Sequence, residues 1–246
     1  VHLFGRKAVR DGQRAADGGA VRDDGDGFAV VLDYYRGGEA ILDEVLRRGE
    51  PLYVLVSHEH RDHYNPEILT WSRLNSRICY LFPREMDSRS ELAHLPNAAF
   101  LSRGESFADE RVRVTAFGST DLGASFEVET GGRVIFHAGD LNNWHWTDES
   151  TEEEVREAGP SYRAELDYLG QTVARFDVAM FPVDARLGSD YMRGARQFVE
   201  RFEVGLFVPM HFYPAVAKAE AFAPIARQHG ADFVLLSHTG DSVTIQ

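Results

Sequence analysis

The sequence feature that most constrains this chain is HEHRDH (residues 58–63), which places three imidazoles and the Asp62 carboxylate within six residues. An uninterrupted apolar run, LYVLV, precedes it and predicts a strand that is buried on both faces. Asn65 followed by Pro66 predicts the cap and the first residue of a helix just after the motif. The motif therefore lies on a loop at the carboxyl end of a buried strand, where a rigid sheet can present side chains in a crevice.

The spacing of these polar residues predicts a metal site. His58 and His60 are two positions apart, so both rings project to the same side of an extended backbone and can bind one ion. Asp62 and His63 are displaced by the turn, and they can bind a second ion or orient a bound water. A polar turn with surface histidines is the weaker alternative, because these spacings seldom coincide by chance.

Two more polar residues follow apolar, strand-like runs. Asp140 ends the sequence RVIFHAGD, and His211 follows VGLFVPM. A hydrolytic metal centre needs ligands from several strand ends, because one loop cannot surround a cation and also leave a position for water. We expect Asp140 to bridge two ions through its two oxygens, with a turn aspartate as the alternative. We expect His211 to be a ligand, with a core histidine as the alternative.

Composition restricts the partners. The net charge of −13 argues against a surface that follows nucleic-acid phosphates, since such surfaces rest on clustered Lys and Arg. Cys79 is the single cysteine, so no disulfide framework exists and zinc would be held by His and Asp. No apolar run approaches the roughly 18 residues of a membrane span, and the charged amino terminus does not resemble a signal peptide. We expect a cytoplasmic protein with a small-molecule substrate and no nucleic-acid or membrane partner; self-association is left open.

The pattern of elements predicts an α/β (α+β) protein with two sheets. A meander of strands occupies the middle, with Gly131 and Gly132 as a two-residue hairpin turn, and strands alternate with helices in the last third. Residues 1–27 are rich in Arg, Asp and Gly and predict a poorly packed segment before a single domain at 28–246. The predicted strands are 28–35, 52–56, 78–82, 112–117, 125–130, 134–137, 177–182, 204–210, 233–236 and 242–245, and the predicted helices are 39–48, 66–74, 86–92, 148–157, 161–175, 190–201 and 216–229.

LYVLVS before HEHRDH, RVIF before HAGD, and PMHF near the end together resemble the metallo-β-lactamase fold superfamily, over about residues 28–245. More narrowly, FGSTDLGASFEV, FHAGDLNNWHW and VGLFVPMHF look like the branch that includes L-ascorbate-6-phosphate lactonase and many metal-dependent hydrolases. The resemblance implies a four-layer αββα sandwich with one or two divalent ions at the edge between the sheets. Zinc is the first expectation for the metal, and manganese or iron are the alternatives.

This chain departs from that resemblance in two places. Most active members of the superfamily supply one more histidine ligand from the loop that here reads GSTDLG and contains no histidine. Ser119, Thr120 or Asp121 could donate an oxygen instead, or His145 could fold back to supply the nitrogen; a structural or substrate-contacting role is the alternative for His145. The second departure is the amino terminus, where the family usually has a strand hairpin.

Several other polar residues have weaker assignments. Asp33 ends a predicted strand as a hydrogen-bond acceptor or as a carboxylate behind the site. His137 has the opposite strand parity from Asp140, which favours packing behind the site over ligation. Asp184 and Arg186 could hold substrate, but a loop ion pair is the alternative. His238 we expect to be a surface or packing residue.

The function that these residues predict is that of a metal-dependent hydrolase, in which a metal-bound hydroxide attacks a small polar lactone, ester, amide or phosphoester. Asp62 and Asp140 are the candidate catalytic carboxylates, and His145 could protonate a leaving group. The alternatives are a degenerate or one-metal binding protein of the same fold, and a phosphodiesterase or nuclease. If only one metal binds tightly, we expect it at Asp62, His63, Asp140 and His211.

Overall fold

The structure is a computed structural model that describes residues 2–5, 19–23, 27–37, 39–146, 148–238 and 241–245. The first sheet contains β1 (His2–Gly5), β2 (Gly19–Asp23), β3 (Phe28–Leu32), β4 (Leu52–Leu55), β5 (Ile78–Pro83), β6 (Ala98–Leu101) and β14 (Ser242–Thr244). The second sheet contains β7 (Ser106–Ala108), β8 (Val112–Phe117), β9 (Ser125–Thr130), β10 (Arg133–His137), β11 (Arg175–Pro182), β12 (Glu203–Met210) and β13 (Asp232–Phe233). The α-helices are α1 (Glu39–Arg48), α2 (Glu152–Leu169), α3 (Arg193–Arg201), α4 (Val216–Glu220) and α5 (Ala223–Gln228), and 3-10 helices span Pro66–Arg73, Arg84–Ser88 and Ala185–Leu187.

The two sheets pack face to face, and helices cover their outer faces. The strand order is β14-β1-β2-β3-β4-β5-β6 in the first sheet and β13-β12-β11-β10-β9-β8-β7 in the second. Along β3, Val30 faces the core between the sheets, whereas Val31 faces the layer that contains Leu42 of α1. On the far side, Tyr162 of α2 and Phe198 of α3 pack on the second sheet. This is the αββα sandwich that the resemblance implied.

The sheet topology brings five chain segments to one edge of the sandwich. β3 pairs in parallel with β4, and β10, β11 and β12 pair in parallel with one another. The carboxyl ends of parallel strands meet at the same edge of a sheet, and this is where polar groups from separate segments can converge. The residues that follow these five strands are Asp33, the motif at 58–63, Asp140, Asp184 and His211.

The middle of the chain follows the sequence prediction closely. β8 and β9 have the predicted bounds, and Gly131 and Gly132 turn the chain with φ of 54° and 73°. Both values lie in the left-handed region that two-residue hairpin turns require and that glycine adopts without strain. Asn65 caps the helix after the motif by accepting a hydrogen bond from the Glu67 amide at 3.0 Å.

Three helix predictions are wrong. The predicted helices 148–157 and 161–175 are replaced by one helix, α2 (Glu152–Leu169), with Pro160 in its interior. A capping box between Thr151 and Glu154 starts this helix, and burial of Tyr162 beyond the proline offsets the hydrogen bond that Pro160 cannot make. The segment 216–229 is instead split into α4 and α5, because Pro224 favours the start of a helix over its interior.

The amino terminus also differs from expectation where it is described. β1 and β2 pair as an antiparallel hairpin, and β1 also pairs with β14. This is the family hairpin that the composition of residues 1–27 did not indicate. The rest of that segment, residues 1, 6–18 and 24–26, lies outside the described residues, and the domain boundary at residue 27 stays a prediction. None of the described helices combines the length and the apolar character of a membrane span.

Candidate metal centre

The first group of candidate ligands gathers around the two leading histidines of the motif. His58, His60, Asp121 and Asp140 each offer one ligand atom, and these atoms lie within 4.8 Å of one another. The His58 Nε2 and His60 Nδ1 atoms are 2.9 Å apart, with their rings nearly perpendicular. His60 Nδ1 is 3.6 Å from Asp121 Oδ2, and His58 Nε2 is 3.4 Å from Asp140 Oδ2. Two nitrogens and two carboxylates therefore face one small volume.

The second group contains the other half of the motif. Asp62, His63 and His211 also place one ligand atom each within 4.8 Å of one another. His63 lies in the loop after β4 of the first sheet, and His211 directly follows β12 of the second sheet. Their rings are stacked with centroids 6.1 Å apart. The group therefore joins the two sheets at their shared edge.

Asp140 lies between the two groups. Its Oδ2 atom faces His58 Nε2 at 3.4 Å, while its Oδ1 atom is 3.1 Å from His63 Nε2 and 3.5 Å from His211 Nε2. Gly139, with φ of 52°, makes this position accessible, since a Cβ there would lie 2.8 Å from the Ser57 side chain. One carboxylate thus directs one oxygen to each group, which is the arrangement that a bridging ligand requires.

Asp33 supports both groups from behind. It directly follows β3, is buried, and has φ of 47°. Its carboxylate accepts hydrogen bonds from the Ser57 amide at 2.6 Å, the Ser57 hydroxyl at 2.6 Å and His63 Nδ1 at 2.7 Å. Because the Ser57 hydroxyl donates to Asp33, it accepts from His58 Nδ1 at 2.9 Å. Both rings therefore carry their proton on Nδ1 and turn Nε2 toward Asp140.

Asp184 supports His211 in the same way. His211 Nδ1 donates to Asp184 Oδ2 at 2.7 Å, which leaves Nε2 on the side of Asp140. Arg186 binds the same carboxylate, with Nε 2.8 Å from Oδ2, so the loop ion pair is the arrangement present. His211 has φ of 59°, a left-handed conformation that is strained for a residue other than glycine. The chain holds this strained residue with a buried carboxylate.

The loop that lacks the family histidine brings Asp121 to the first group. The Thr120 hydroxyl donates to the Asn142 carbonyl at 2.5 Å and accepts from the Asn142 amide at 3.0 Å. Gly123, with φ of 67°, lets the loop approach so closely that a Cβ there would overlap with the Ser57 carbonyl oxygen. These contacts fix the loop against the segments that carry His58 and Asp140.

The remaining sequence candidates lie elsewhere. His145 is buried, its Nε2 is 3.2 Å from the Asp190 carbonyl oxygen, and it belongs to neither group of candidate ligands. His137 is buried behind the site, where its Nδ1 accepts from the Gly139 amide at 3.2 Å. His238 is exposed and lies 3.4 Å from Asp241. The structure therefore brings together all six residues predicted as ligands and adds Asp121 but not His145.

The electrostatics of the centre favour ionised carboxylates. Burial alone raises the pKa of Asp140, but the neighbouring His58, His63 and His211 imidazoles outweigh it and hold that pKa well below its ordinary value. Burial likewise opposes ionisation of Asp184, yet His211 and Arg186 lower its pKa to about 2. The pKa of Asp33 is also lowered, since the neighbouring histidines outweigh its burial. Three buried carboxylates thus stay negative close to four imidazoles.

These donors fit one or two divalent cations. Among the described residues, the Asp140 Oδ1 atom is buried without a hydrogen bond of acceptable geometry. A buried carboxylate oxygen in that situation costs free energy unless a cation or another donor compensates it. Imidazole nitrogens and carboxylate oxygens are the donors that zinc, manganese and iron take in proteins. The protein therefore has the side chains to hold such ions.

Sequence reasoning missed two of the supporting contacts. Asp184 was interpreted as a substrate contact or a loop ion pair, and its bond to His211 was not foreseen. Ser57, the link between His58 and Asp33, was not singled out at all. A signal for Asp184 was present, since it follows the buried strand β11 at the same sheet edge as Asp140 and His211.

Comparison with known proteins places the chain in a family. The family model described as "Beta-lactamase superfamily domain" matches residues 18–211. A UPF0173 metal-dependent hydrolase of Symbiobacterium thermophilum is 26% identical over 208 residues, which cover 79% of this chain and 82% of that protein.

Solved structures share the fold at lower identity. CmlA, a diiron β-hydroxylase from Streptomyces venezuelae, superposes with a TM-score of 0.67 at 14% identity, over 98% of this chain but only 53% of CmlA. The metallo-β-lactamase fold protein YhfI from Bacillus subtilis superposes with a TM-score of 0.65 at 9% identity, over 98% of each chain. The family match spans most of the chain and both sheets, so the chain belongs to the metallo-β-lactamase fold superfamily.

Proposed function

We propose that this protein is a metal-dependent hydrolase that cleaves a lactone, ester, amide or phosphoester bond in a small polar molecule. One observation carries the proposal: the two Asp140 oxygens face two separate groups of ligand side chains, 3.4 Å from His58 on one side and 3.1 Å from His63 on the other. Such a layout suits a pair of divalent ions. The name of the Symbiobacterium relative, a metal-dependent hydrolase, supports the same reaction class.

The chemistry divides between the ions and the protein. Bound divalent cations lower the pKa of water toward neutrality and polarise a carbonyl or phosphoryl oxygen. His58, His60, His63 and His211 would hold the ions, and Asp140 would direct one oxygen to each group.

Asp62 is the residue that we assign to the attacking water. Its carboxylate belongs to the second group, with one oxygen within 4.8 Å of the His63 and His211 nitrogens. A carboxylate beside the nucleophile can accept its proton or orient its lone pair toward the substrate. Asp140 has a different task, since both of its oxygens face histidine ligands.

Aromatic side chains beside the centre suit an organic substrate. Trp144 packs edge-on against His211 with ring centroids 5.5 Å apart, and it stacks on Trp146 at 6.0 Å. Both indoles are half-buried, and Trp144 Nε1 donates to the Asp140 carbonyl at 2.8 Å. We assign this pair to the apolar part of the substrate, which the polar centre cannot bind by itself.

The test combines metal analysis with a substrate panel. Purified protein is analysed for zinc, manganese and iron, and then assayed with lactones, aryl esters, amides and phosphodiesters before and after chelation. We expect stoichiometric metal, hydrolysis of at least one class, loss on chelation and recovery when metal is added back. In Asp62→Ala the rate should fall by at least about a hundredfold, as for loss of a general base.

Glu67→Ala is the matched control, because Glu67 is an exposed carboxylate on the helix that follows the motif. Its metal content and rate should equal those of the unchanged protein. Absence of metal after purification, with no hydrolysis on addition of zinc, manganese or iron, would refute the proposal. Metal binding without hydrolysis of any class would support the binding-protein alternative instead.

A further inference from the structure

We propose that Asp121 is a ligand of the first metal position and that it replaces the histidine which the GSTDLG loop lacks. The first position then has two imidazoles and two carboxylates, from His58, His60, Asp121 and Asp140. This inference rests on the proposed metal centre, and it adds a residue and a metal preference that the family pattern does not supply.

Asp121 is the carboxylate that this loop brings to the first group. The Thr120 hydroxyl donates to the Asn142 carbonyl and accepts from its amide, so its proton and one lone pair are engaged with the neighbouring loop. The Ser119 hydroxyl is 3.3 Å from the Asp121 amide. Asp121 is the residue of this loop whose carboxylate meets the histidines, at 3.6 Å from His60 Nδ1.

His145 does not provide the missing nitrogen. Its Nε2 atom is 3.2 Å from the Asp190 carbonyl oxygen, and its side chain is buried beside Arg193, which together with burial lowers its pKa. To reach the first group, the ring would have to leave this pocket and the segment after Asn143 would have to be rebuilt. Asp121 needs no such change, because its side chain is 43% exposed and is already within the group.

The exchange of an imidazole for a carboxylate changes which ion the position prefers. Carboxylates suit manganese and related hard ions, whereas imidazole nitrogens suit zinc. Two carboxylates also carry one more negative charge than the usual three-histidine arrangement with Asp140. We therefore infer that the first position favours Mn²⁺ over Zn²⁺ more strongly than a position with a third histidine would.

Metal titrations of three proteins test the inference. Unchanged protein, Asp121→Ala and Asp121→His are stripped of metal and titrated with Mn²⁺ and with Zn²⁺ by calorimetry, and the bound ions are counted by elemental analysis. Asp121→Ala should keep one tightly bound ion and bind the second at least about tenfold more weakly, which corresponds to 1.4 kcal/mol. Asp121→His should recover the second ion and raise the ratio of zinc to manganese affinity by about tenfold or more.

Controls separate this inference from the function on which it rests. Glu129→Ala removes an exposed carboxylate from β9, the strand that follows the loop, and should leave both titrations unchanged. Thermal unfolding of every metal-free variant checks that the fold persists. Two ions in unchanged protein and two equally tight ions in Asp121→Ala would overturn the role of Asp121 and leave the hydrolase proposal intact. No ion in unchanged protein would overturn both.

An unchanged ratio of zinc to manganese affinity in Asp121→His, with the second ion present, would overturn the preference for manganese. A second variant, Thr120→Val, distinguishes loss of the Asp121 carboxylate from a change in the conformation of the loop. In Thr120→Val the loop loses its bonds to Asn142 but keeps the carboxylate, so the second ion should bind more weakly than in unchanged protein and more tightly than in Asp121→Ala. Equal weakening in both variants would contradict a direct role for the carboxylate.

Discussion

The first and second groups of candidate ligands, the first and second halves of the proposed metal centre, differ in how firmly the protein holds their side chains. In the second half, the side chains of His63 and His211 are 0% and 8% exposed, and each ring donates to a buried carboxylate. In the first half, the His60 side chain is 45% exposed and its partner Asp121 is 43% exposed. The second half is therefore built into the sandwich before any ion arrives, whereas the first half lies partly in solvent.

This difference follows from where the residues come in the chain. His211 follows a buried strand directly, and His63 is fixed by Asp33 at the end of another. His60 and Asp121 come from two loops, and both side chains lie at the surface. Preorganised ligands lose less conformational freedom when they bind an ion, so the second half should bind first and more tightly. Metal binding by the first half should depend more strongly on pH, on solvent and on the identity of the metal.

Substitution of Asp140 should have the largest effect on metal binding and on hydrolysis, because this residue is common to both halves. Asp140→Asn should bind neither ion stoichiometrically, and its rate of hydrolysis should fall by roughly a hundredfold to a thousandfold, the range found when a principal electrostatic group is removed. Elemental analysis and the substrate panel measure both effects. Retention of two ions would mean that the halves are independent and that Asp140 does not join them.

The matched pair His211→Ala and His60→Ala compares the halves directly. Removal of His211 should weaken the tightest ion by more than about a hundredfold, beyond the cost of losing an outer partner. Removal of His60 should leave that ion in place and affect only the second, weaker one. Calorimetric titration with one metal measures both variants, and a reversed order of effects would show that the exposed half is the tighter one.

Asp33 should matter for stability as well as for metal, since it accepts three hydrogen bonds in the core. In Asp33→Ala these donors lose their partner while they remain buried, so the free energy of unfolding should fall by about 3 kcal/mol. Urea unfolding of metal-free protein measures this change. A loss below about 0.5 kcal/mol, typical of surface substitutions, would show that the support is not preformed.

Asp184 should affect metal binding by the second half alone. In Asp184→Asn the amide cannot supply the charge that faces His211, and the affinity for the tightest ion should fall by about ten- to a hundredfold. Asp190→Asn is the matched control, because Asp190 is a partly exposed acid that pairs with Arg193 outside the centre. Equal effects of the two substitutions would remove the special role of Asp184.

The smallest expected effect is a pH dependence of the free energy of unfolding that comes from Glu127, a residue outside both halves. Burial, and then the charge of Glu129, raise the pKa of Glu127 from its ordinary 4.5 to about 7. The folded state then binds more protons than the unfolded state between these values, so the free energy of unfolding falls as pH rises through this window. Glu127→Gln should flatten the fall, which is on the order of 1 kcal/mol. An unchanged profile in urea unfolding would locate the dependence elsewhere.

The sequence predicted the parts of the centre that strand ends determine. His58, Asp140 and His211 each follow an apolar run, and parallel strands bring such ends to one edge. The contacts between loops could not be predicted, because they depend on how the two sheets face each other. The reciprocal Thr120–Asn142 bonds and the bond from His211 to Asp184 are of this kind.

Elements whose bounds depend on tertiary packing also could not be predicted from the sequence. Pro160 predicts a helix end, yet burial of Tyr162 against the second sheet keeps α2 continuous through it. The charged, glycine-rich start of the chain conceals strands β1 and β2, whose backbone pairing depends on β3 and β14 as partners. In both cases a neighbour distant in sequence outweighs local propensity.

We propose that one carboxylate, Asp140, joins a rigid and an exposed metal position. Anomalous diffraction from crystals grown with Mn²⁺ tests this proposal most directly. We expect two peaks, one contacted by His63 and His211 and the other by His60 and Asp121, with one Asp140 oxygen directed at each. A single peak at saturating Mn²⁺, or two peaks that share no Asp140 contact, would contradict it.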